Sequence, residues 1–202
     1  DLCPLSVRQL AQAGGELTAV ANHQVNALVR TSINQVANAS SQQVYEANQD
    51  VTKKYKYVAT LDSRTSAICR SLDGQEFFYG KGPVPPQHFN CRSTTVPIVD
   101  YEGLGFDPPP SNSQRRPGTT LGPSRGVRGG TVPDTQTYGQ WLELQPKAVK
   151  DDVLGASKVP YFESLVKKVG PTQAIRKFVS QDGSELTLAQ LRRRYPDVKA
   201  AQ

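Results

Sequence analysis

Residues 61–74 read LDSRTSAICRSLDG, and residues 85–93, which follow a loop-forming segment, read PPQHFNCRS. These two segments hold two of the three cysteines and one of the two histidines of the chain. Thiol and imidazole side chains are the common ligands of zinc and also serve as nucleophile and base in catalysis. The two segments are therefore the candidate location of a metal-binding or catalytic site.

Cys69, His88 and Cys91 supply two sulfurs and one imidazole, and a tetrahedral zinc site needs a fourth ligand. Asp62, at the start of the same motif, is the nearest candidate for that ligand. The spacing departs from paired Cys-x-x-Cys knuckles, so two other interpretations stay open: a packed thiol pair with His88 bonded to a backbone carbonyl, and a Cys–His nucleophilic dyad. The dyad is the least favoured, because no orienting third group or oxyanion loop is recognisable.

The charged residues of the motif have a simpler role. Asp62 is expected to pair with Arg64 and fix the turn, and Arg92 is placed to reach the same carboxylate with two hydrogen bonds. The alternative is an arginine that faces a phosphate. A structural role is favoured, since closely spaced Asp and Arg residues in a tight loop commonly brace it.

Length and composition limit the class of protein. A chain of 202 residues can bury one sizeable core, or one core with a helical appendage. The net charge of +6 is compatible with a polyanionic partner and equally with a solvated basic surface. The basic run at Arg192, Arg193 and Arg194 is the candidate contact with DNA phosphates. No apolar run approaches the roughly 18 residues that span a bilayer, so no membrane partner is expected.

The first half of the chain predicts a long helix followed by a small sheet. Region 1–50 contains a stretch from 16 to about 48 without Pro or Gly, in which apolar residues recur on one helical face and Asn, Gln and Ser cover the other. Region 51–102 predicts strands at 53–61, 76–79 and 93–99 and two helical turns at 65–72. The Cys/His motif would then lie on loops of a small antiparallel sheet.

The second half predicts an extended arm and then short helices. Region 103–134 is rich in Pro and Gly, so we expect an arm or loop without regular secondary structure that lies against a neighbouring subunit. Region 135–202 predicts helices at 138–145, 148–154, 161–169, 172–179 and 188–195, with Trp141 as a core anchor. Thr187 is the expected N-cap of the last helix, and Gly155 and Gly170 are expected stops. The predicted fold class is α+β.

The order of these motifs resembles the phage Mu F-like head morphogenesis family, the minor capsid proteins of tailed phages. The resemblance begins at Leu28-Val29-Arg30-Thr31, continues through residues 57–65 and the turn at Cys69, and includes PQHFNCRS at 86–93. It extends to TYGQWL at 137–142, Gln145 and VLG at 153–155. No single piece is specific, but their combined order is.

The resemblance implies a structural protein of the virion. Such a protein joins the phage head in few copies, associates with the portal or the major capsid protein, in some cases touches packaged DNA, and supports head assembly and DNA packaging or ejection. Two alternatives stay open. One is an enzyme, a metal-dependent nuclease or nucleotide-using transferase built on Asp62, Cys69, His88 and Cys91; the other is a stand-alone DNA-binding module.

Overall fold

The computed structural model describes residues 7–109, 115–118 and 130–198, and it has the predicted mixed α+β architecture. A long N-terminal helix precedes a small antiparallel sheet, and short helices complete the chain. The helices are α1 (Val7–Ala47), α2 (Ala67–Leu72), α3 (Tyr138–Glu143), α4 (Lys147–Leu154), α5 (Val159–Val169), α6 (Pro171–Arg176) and α7 (Leu188–Arg194). The strands are β1 (Thr52–Val58), β2 (Glu76–Phe78), β3 (Thr94–Val99), β4 (Arg115–Gly118) and β5 (Gly130–Pro133).

The first sheet has β1 at its centre, between β2 and β3, and both pairings are antiparallel. Successive side chains of a strand point to opposite faces, and Tyr55 and Tyr57 of β1 are fully buried on one of them. Lys54, on the other face, pairs with Glu76 of β2 at 3.7 Å. The short β1–α2–β2 connection brings α2, and with it Cys69, beside the buried face of the sheet, where Tyr57 and Cys69 belong to one apolar cluster.

Helix α1 packs on the sheet through its polar face. Asn34 donates to the carbonyl of Ser93 at 3.0 Å, Gln42 donates to the hydroxyl of Thr95 at 3.0 Å, and Tyr45 donates to the carbonyl of Thr95 at 3.3 Å. Asn34 and Gln42 are about two helical turns apart and Gln42 and Tyr45 about one, so the three residues share one side of the helix. The apolar residues that recur on the other face, such as Val29 and Ile33, are exposed, and the described side chains between 12 and 26 are all exposed.

The short helices α3 to α7 enclose the larger core. Tyr138, Trp141 and Phe162 are buried in it, which confirms the predicted anchor. Thr187 caps α7 in a reciprocal pair with Gln190, and Gly155 and Gly170 end α4 and α5 as predicted. The described helices include none that is long and apolar enough to cross a membrane.

The prediction of an arm without secondary structure is wrong for the described part of region 103–134. Strands β4 and β5 pair antiparallel with each other within the chain, in the register Arg116 to Val132. Val132 joins the larger core, and Arg116 is buried against Asp73. The Pro-rich and Gly-rich composition of this region does not predict the pairing of β4 with β5, because these strands are stabilised by contacts with residues that are distant in the sequence. Residues 110–114 and 119–129 of this region lie outside the described part.

Asp73 and Arg116 form a buried ion pair that closes the body of the protein. The carboxylate is fully buried and lies 2.6 Å from the guanidinium, and it also accepts from the backbone N–H groups of Ala59 and Tyr138 at 2.7 Å each. Arg116 in turn donates to the carbonyls of Ala59 and Gln136. The charge of Arg116 therefore faces the interior of the protein.

Replacing Arg116 by Met should destabilise the protein by about 3–5 kcal/mol, because it leaves the Asp73 carboxylate buried without its counter-charge. The measurement is the free energy of unfolding in urea. Arg193→Met, which removes an exposed arginine of α7, is the control and should change stability by less than about 0.5 kcal/mol. Equal small losses in both variants would contradict this prediction.

Candidate metal centre

Cys69 is positioned by the short helix α2. Ser66 precedes this helix as its N-cap, with its hydroxyl accepting from the backbone N–H of Cys69 at 3.4 Å. One turn further on, the backbone N–H of Asp73 returns to the carbonyl of Cys69 at 3.1 Å. Both ends of the turn are fixed, so the buried Cys69 side chain has a defined direction.

His88 and Cys91 are positioned by the tight loop that enters β3. The backbone N–H of Cys91 donates to the carbonyl of His88 at 3.2 Å, and Asn90 between them has a φ of 58°. Asn tolerates this left-handed conformation better than most residues. The turn brings the His88 ring and the Cys91 thiol to the same side of the loop, toward α2.

The three side chains converge, as the sequence predicts. The Cys69 and Cys91 sulfurs are 3.7 Å apart, and His88 Nε2 lies 3.3 Å from the Cys69 sulfur. All three ligand atoms lie within 4.8 Å of one another. Cys69 and Cys91 are buried and His88 is partly exposed, so the group lies just under the surface.

The polar surroundings favour the charged form of one thiol. The hydrogen bond from Cys69, and then backbone N–H groups of Gln87 and Ser93, lower the pKa of Cys91 to about 4 against the opposing effect of burial. The hydrogen bond with Cys91, and then burial, raise the pKa of Cys69. His88 Nδ1 lies 2.8 Å from the carbonyl of Phe89, which can only accept. In the neutral ring this assigns the proton to Nδ1 and leaves the lone pair of Nε2 toward the sulfurs.

The structure does not bring Asp62 into this group. Its two carboxylate oxygens bind the Arg92 guanidinium at 2.5 and 2.7 Å, which is the bidentate pair that the sequence predicts. Burial raises the pKa of Asp62, but the hydrogen bond and charge of Arg92 outweigh it and lower the pKa overall. The expected ion pair with Arg64 is replaced by a bond from the Arg64 backbone N–H at 3.0 Å. The group is thus made of Cys69, His88 and Cys91, without the fourth ligand predicted at Asp62.

Two cavities adjoin the three ligands. The smaller, of about 10 Å³, is lined by hydroxyl side chains including Thr65 and Ser66 together with Cys69 and His88. It has room for about one water molecule. The larger, of about 590 Å³, is an open groove between α1 and the loop, lined by residues that include Ile33 and Arg92.

The basic run predicted to contact DNA lies far along the chain from the ligand group. Arg192, Arg193 and Arg194 form the last turn of α7 and are exposed. Their contact with DNA stays a prediction. Cys3 lies outside the described residues.

Two parts of the neighbourhood had no clear signal in the sequence. Nothing in the sequence around Asp73 indicates that Arg116 reaches it from 43 residues away. The sequence also does not predict that Asn34 attaches α1 to the loop that carries His88 and Cys91. A polar face of an amphipathic helix ordinarily predicts solvent.

The described residues define a mixed α+β protein in which one cysteine of a short helix meets a histidine and a cysteine of the loop beneath a long helix. Residues 6–96 match the family described as Phage Mu protein F like protein. This range contains α1, strands β1 and β2, the start of β3 and the complete ligand group, so the resemblance seen in the sequence is confirmed there.

A curated relative gives less information. The chain is 28% identical over 120 residues to an uncharacterized protein of Haemophilus influenzae (strain ATCC 51907 / DSM 11121 / KW20 / Rd). The alignment covers 57% of this chain and 23% of the relative, so the chain spans about a quarter of the relative's length. No solved structure matches the chain.

Arg92→Lys should cost about 1 kcal/mol of stability in urea, because lysine keeps the charge but cannot make the two parallel hydrogen bonds to Asp62. The modest size follows from the partial exposure of Arg92. Arg64→Lys is the matched control, since the bond from Arg64 to Asp62 uses the backbone, and it should be close to neutral. A larger loss in Arg64→Lys than in Arg92→Lys would refute this assignment.

Proposed function

We propose that the protein is a non-enzymatic minor component of a phage head that binds the portal and supports head assembly and DNA packaging or ejection. The observation that carries the proposal is the match of residues 6–96 to Mu F-like proteins. The exposed apolar side chains of α1 and the space around the ligand group also support it.

Helix α1 presents a stripe of exposed apolar side chains to a partner. The stripe consists of Val25, Leu28, Val29, Ile33 and Val36, which are between 49% and 66% exposed. Their spacing places them on one side of the helix, away from the polar face that packs on the body. Contiguous exposed apolar side chains of this kind mark protein contacts.

The composition of α1 favours a protein partner over DNA. Its 41 residues include only four charged ones, Arg8, Glu16, Arg30 and Glu46, so it has little of the positive charge that binding to phosphates requires. An amphipathic helix with few charges instead suits binding to another protein, with its apolar face in a hydrophobic groove of that partner. The apolar stripe is therefore the proposed contact with the portal.

The enclosed side of the ligand group offers little space for a substrate. The cavity beside Cys69 and His88 measures about 10 Å³, whereas small-molecule sites measure about 300–1,000 Å³. The groove on the Cys91 side, of about 590 Å³, is large enough, but it is an open surface between α1 and the loop rather than an enclosed pocket. The absence of an enclosed pocket of that size beside the group, among the described residues, supports a structural role for the group over a nuclease or transferase site.

Val29→Glu should weaken binding of the full chain to the purified portal protein of the same phage by at least tenfold, because it places a charge within the apolar stripe. Gln24→Glu adds the same charge to an exposed position on another side of α1 and is the matched control. The measurement is the dissociation constant by interferometry, with circular dichroism to check that α1 stays helical.

Three results would overturn parts of the proposal. Equal binding by both variants would remove the stripe as the contact. Binding to the major capsid protein but not to the portal would replace the proposed partner. Turnover of a nucleotide or of DNA by the particle-free protein, lost in Cys91→Ser, would replace the structural function with an enzymatic one.

The exposed run at Arg192, Arg193 and Arg194 is the proposed contact with packaged DNA. Replacing all three by Gln should reduce the dependence of log K on log salt by roughly 2.7, since each phosphate contact contributes about 0.9. The measurement is DNA affinity at several salt concentrations. Lys167→Gln with Lys168→Gln, at the exposed end of α5, is the control for general loss of charge. An unchanged slope in the arginine variant would refute the contact.

A further inference from the structure

We propose that Cys69, His88 and Cys91 bind one Zn²⁺ with a water molecule as the fourth ligand, and that this ion holds the loop on which α1 is seated. The inference goes beyond the proposed role in the phage head and does not depend on it. It rests on the spacing of the ligand atoms, on the groups that orient them and on the contacts of the loop.

The distances between ligand atoms suit a tetrahedral zinc ion. With zinc–sulfur bonds of about 2.3 Å, two thiolates on one ion lie roughly 3.8 Å apart, and with a zinc–nitrogen bond of about 2.0 Å a sulfur and an imidazole nitrogen lie roughly 3.5 Å apart. The observed separations are 3.7 Å between the sulfurs and 3.3 Å between His88 Nε2 and the Cys69 sulfur. Small shifts would therefore complete the coordination.

The neighbours of the ligands are those that orient metal ligands. Histidine ligands usually donate their second ring N–H to a carbonyl or carboxylate, which directs the other nitrogen at the ion. His88 does this through Nδ1 and the carbonyl of Phe89 at 2.8 Å. On the other side, the buried hydroxyl of Tyr57 lies 3.3 Å from the Cys69 sulfur, where it can donate to a thiolate. A pair of thiols packed for their volume alone requires neither partner.

The donor set selects the metal. Two sulfurs and an imidazole suit zinc and are poor ligands for Mg²⁺ or Ca²⁺, which prefer oxygen. Asp62 is committed to Arg92, so the fourth ligand has to come from elsewhere. The cavity of about 10 Å³ beside Cys69 and His88 accommodates about one water molecule among hydroxyl side chains.

The same loop carries the attachment of α1. The backbone N–H of Asn90 donates to the hydroxyl of Thr31 at 3.0 Å, and the carbonyl of Ser93 accepts from Asn34 at 3.0 Å. Asn90 and Ser93 lie on either side of Cys91 in the loop. An ion that joins Cys91 and His88 to Cys69 of α2 would therefore also fix the part of the loop that binds α1. Loss of the ion should loosen the middle of α1 without affecting the larger core.

The first experiment measures metal content and coordination in the full chain. We expect one zinc per chain by elemental analysis, and on exchange for Co²⁺ the intense visible bands of a tetrahedral site with sulfur-to-cobalt charge transfer. His88→Gln should abolish this spectrum, whereas His23→Gln, at an exposed position of α1, should keep it. Tyr57→Phe keeps all three ligands and should lower zinc affinity by about 10- to 100-fold.

The second experiment measures amide hydrogen exchange with and without a chelator. Removal of zinc should speed exchange in residues 86–93 and 31–45 and leave α3 to α6 unchanged. A metal-free chain that takes up no Zn²⁺ or Co²⁺, or a Cys69–Cys91 disulfide found by mass spectrometry in freshly purified protein, would overturn the site. Zinc binding with unchanged exchange in α1 would overturn the coupling to the helix.

Discussion

The body of the protein depends on one buried carboxylate. Asp73 follows α2 directly, and its side chain binds the end of β1 through Ala59, the start of α3 through Tyr138 and strand β4 through Arg116. Four segments that are distant in the chain therefore share one charge. A buried charge is costly unless every lone pair is used, and here the bonds that use them are also those that join the sheet to the helical core. The position of α2, and hence of Cys69, follows from this junction.

Local signals in the sequence predicted the elements well. The caps at Thr187, Gly155 and Gly170, the alternation along β1 and the helical periodicity of α1 all depend on residues close together in the chain. The convergence of Cys69, His88 and Cys91 was also predictable, because the motif segments flank one small sheet. The pairing of β4 with β5 and the burial of Arg116 were not, since both arise from contacts with residues far away in sequence. The position of Asp62 in the motif predicts a metal ligand, but in the structure its carboxylate is bound by the guanidinium of Arg92.

Helix α1 shows how an amphipathic pattern can be used in reverse. Amide and hydroxyl side chains face the body and make defined hydrogen bonds to β3 and the ligand loop, while the apolar stripe faces outward. Hydrogen bonds specify direction and register, whereas apolar contact supplies most of the free energy of association. The arrangement gives the protein a helix that is held in a fixed orientation by its own chain while its apolar side chains stay exposed.

The length of α1 has a mechanical consequence. At 1.5 Å per residue its 41 residues extend roughly 60 Å, and the 20 residues before Ala27 account for roughly 30 Å of that beyond the hydrogen-bonded seat. The helix is thus a lever whose outer arm is about as long as its anchored one. A tilt of about 10° at the seat displaces its tip by roughly 5 Å, about the height of one helical turn. Small rearrangements around Asn34 and Ser93 are therefore magnified into movements on the scale of a side chain at the far end.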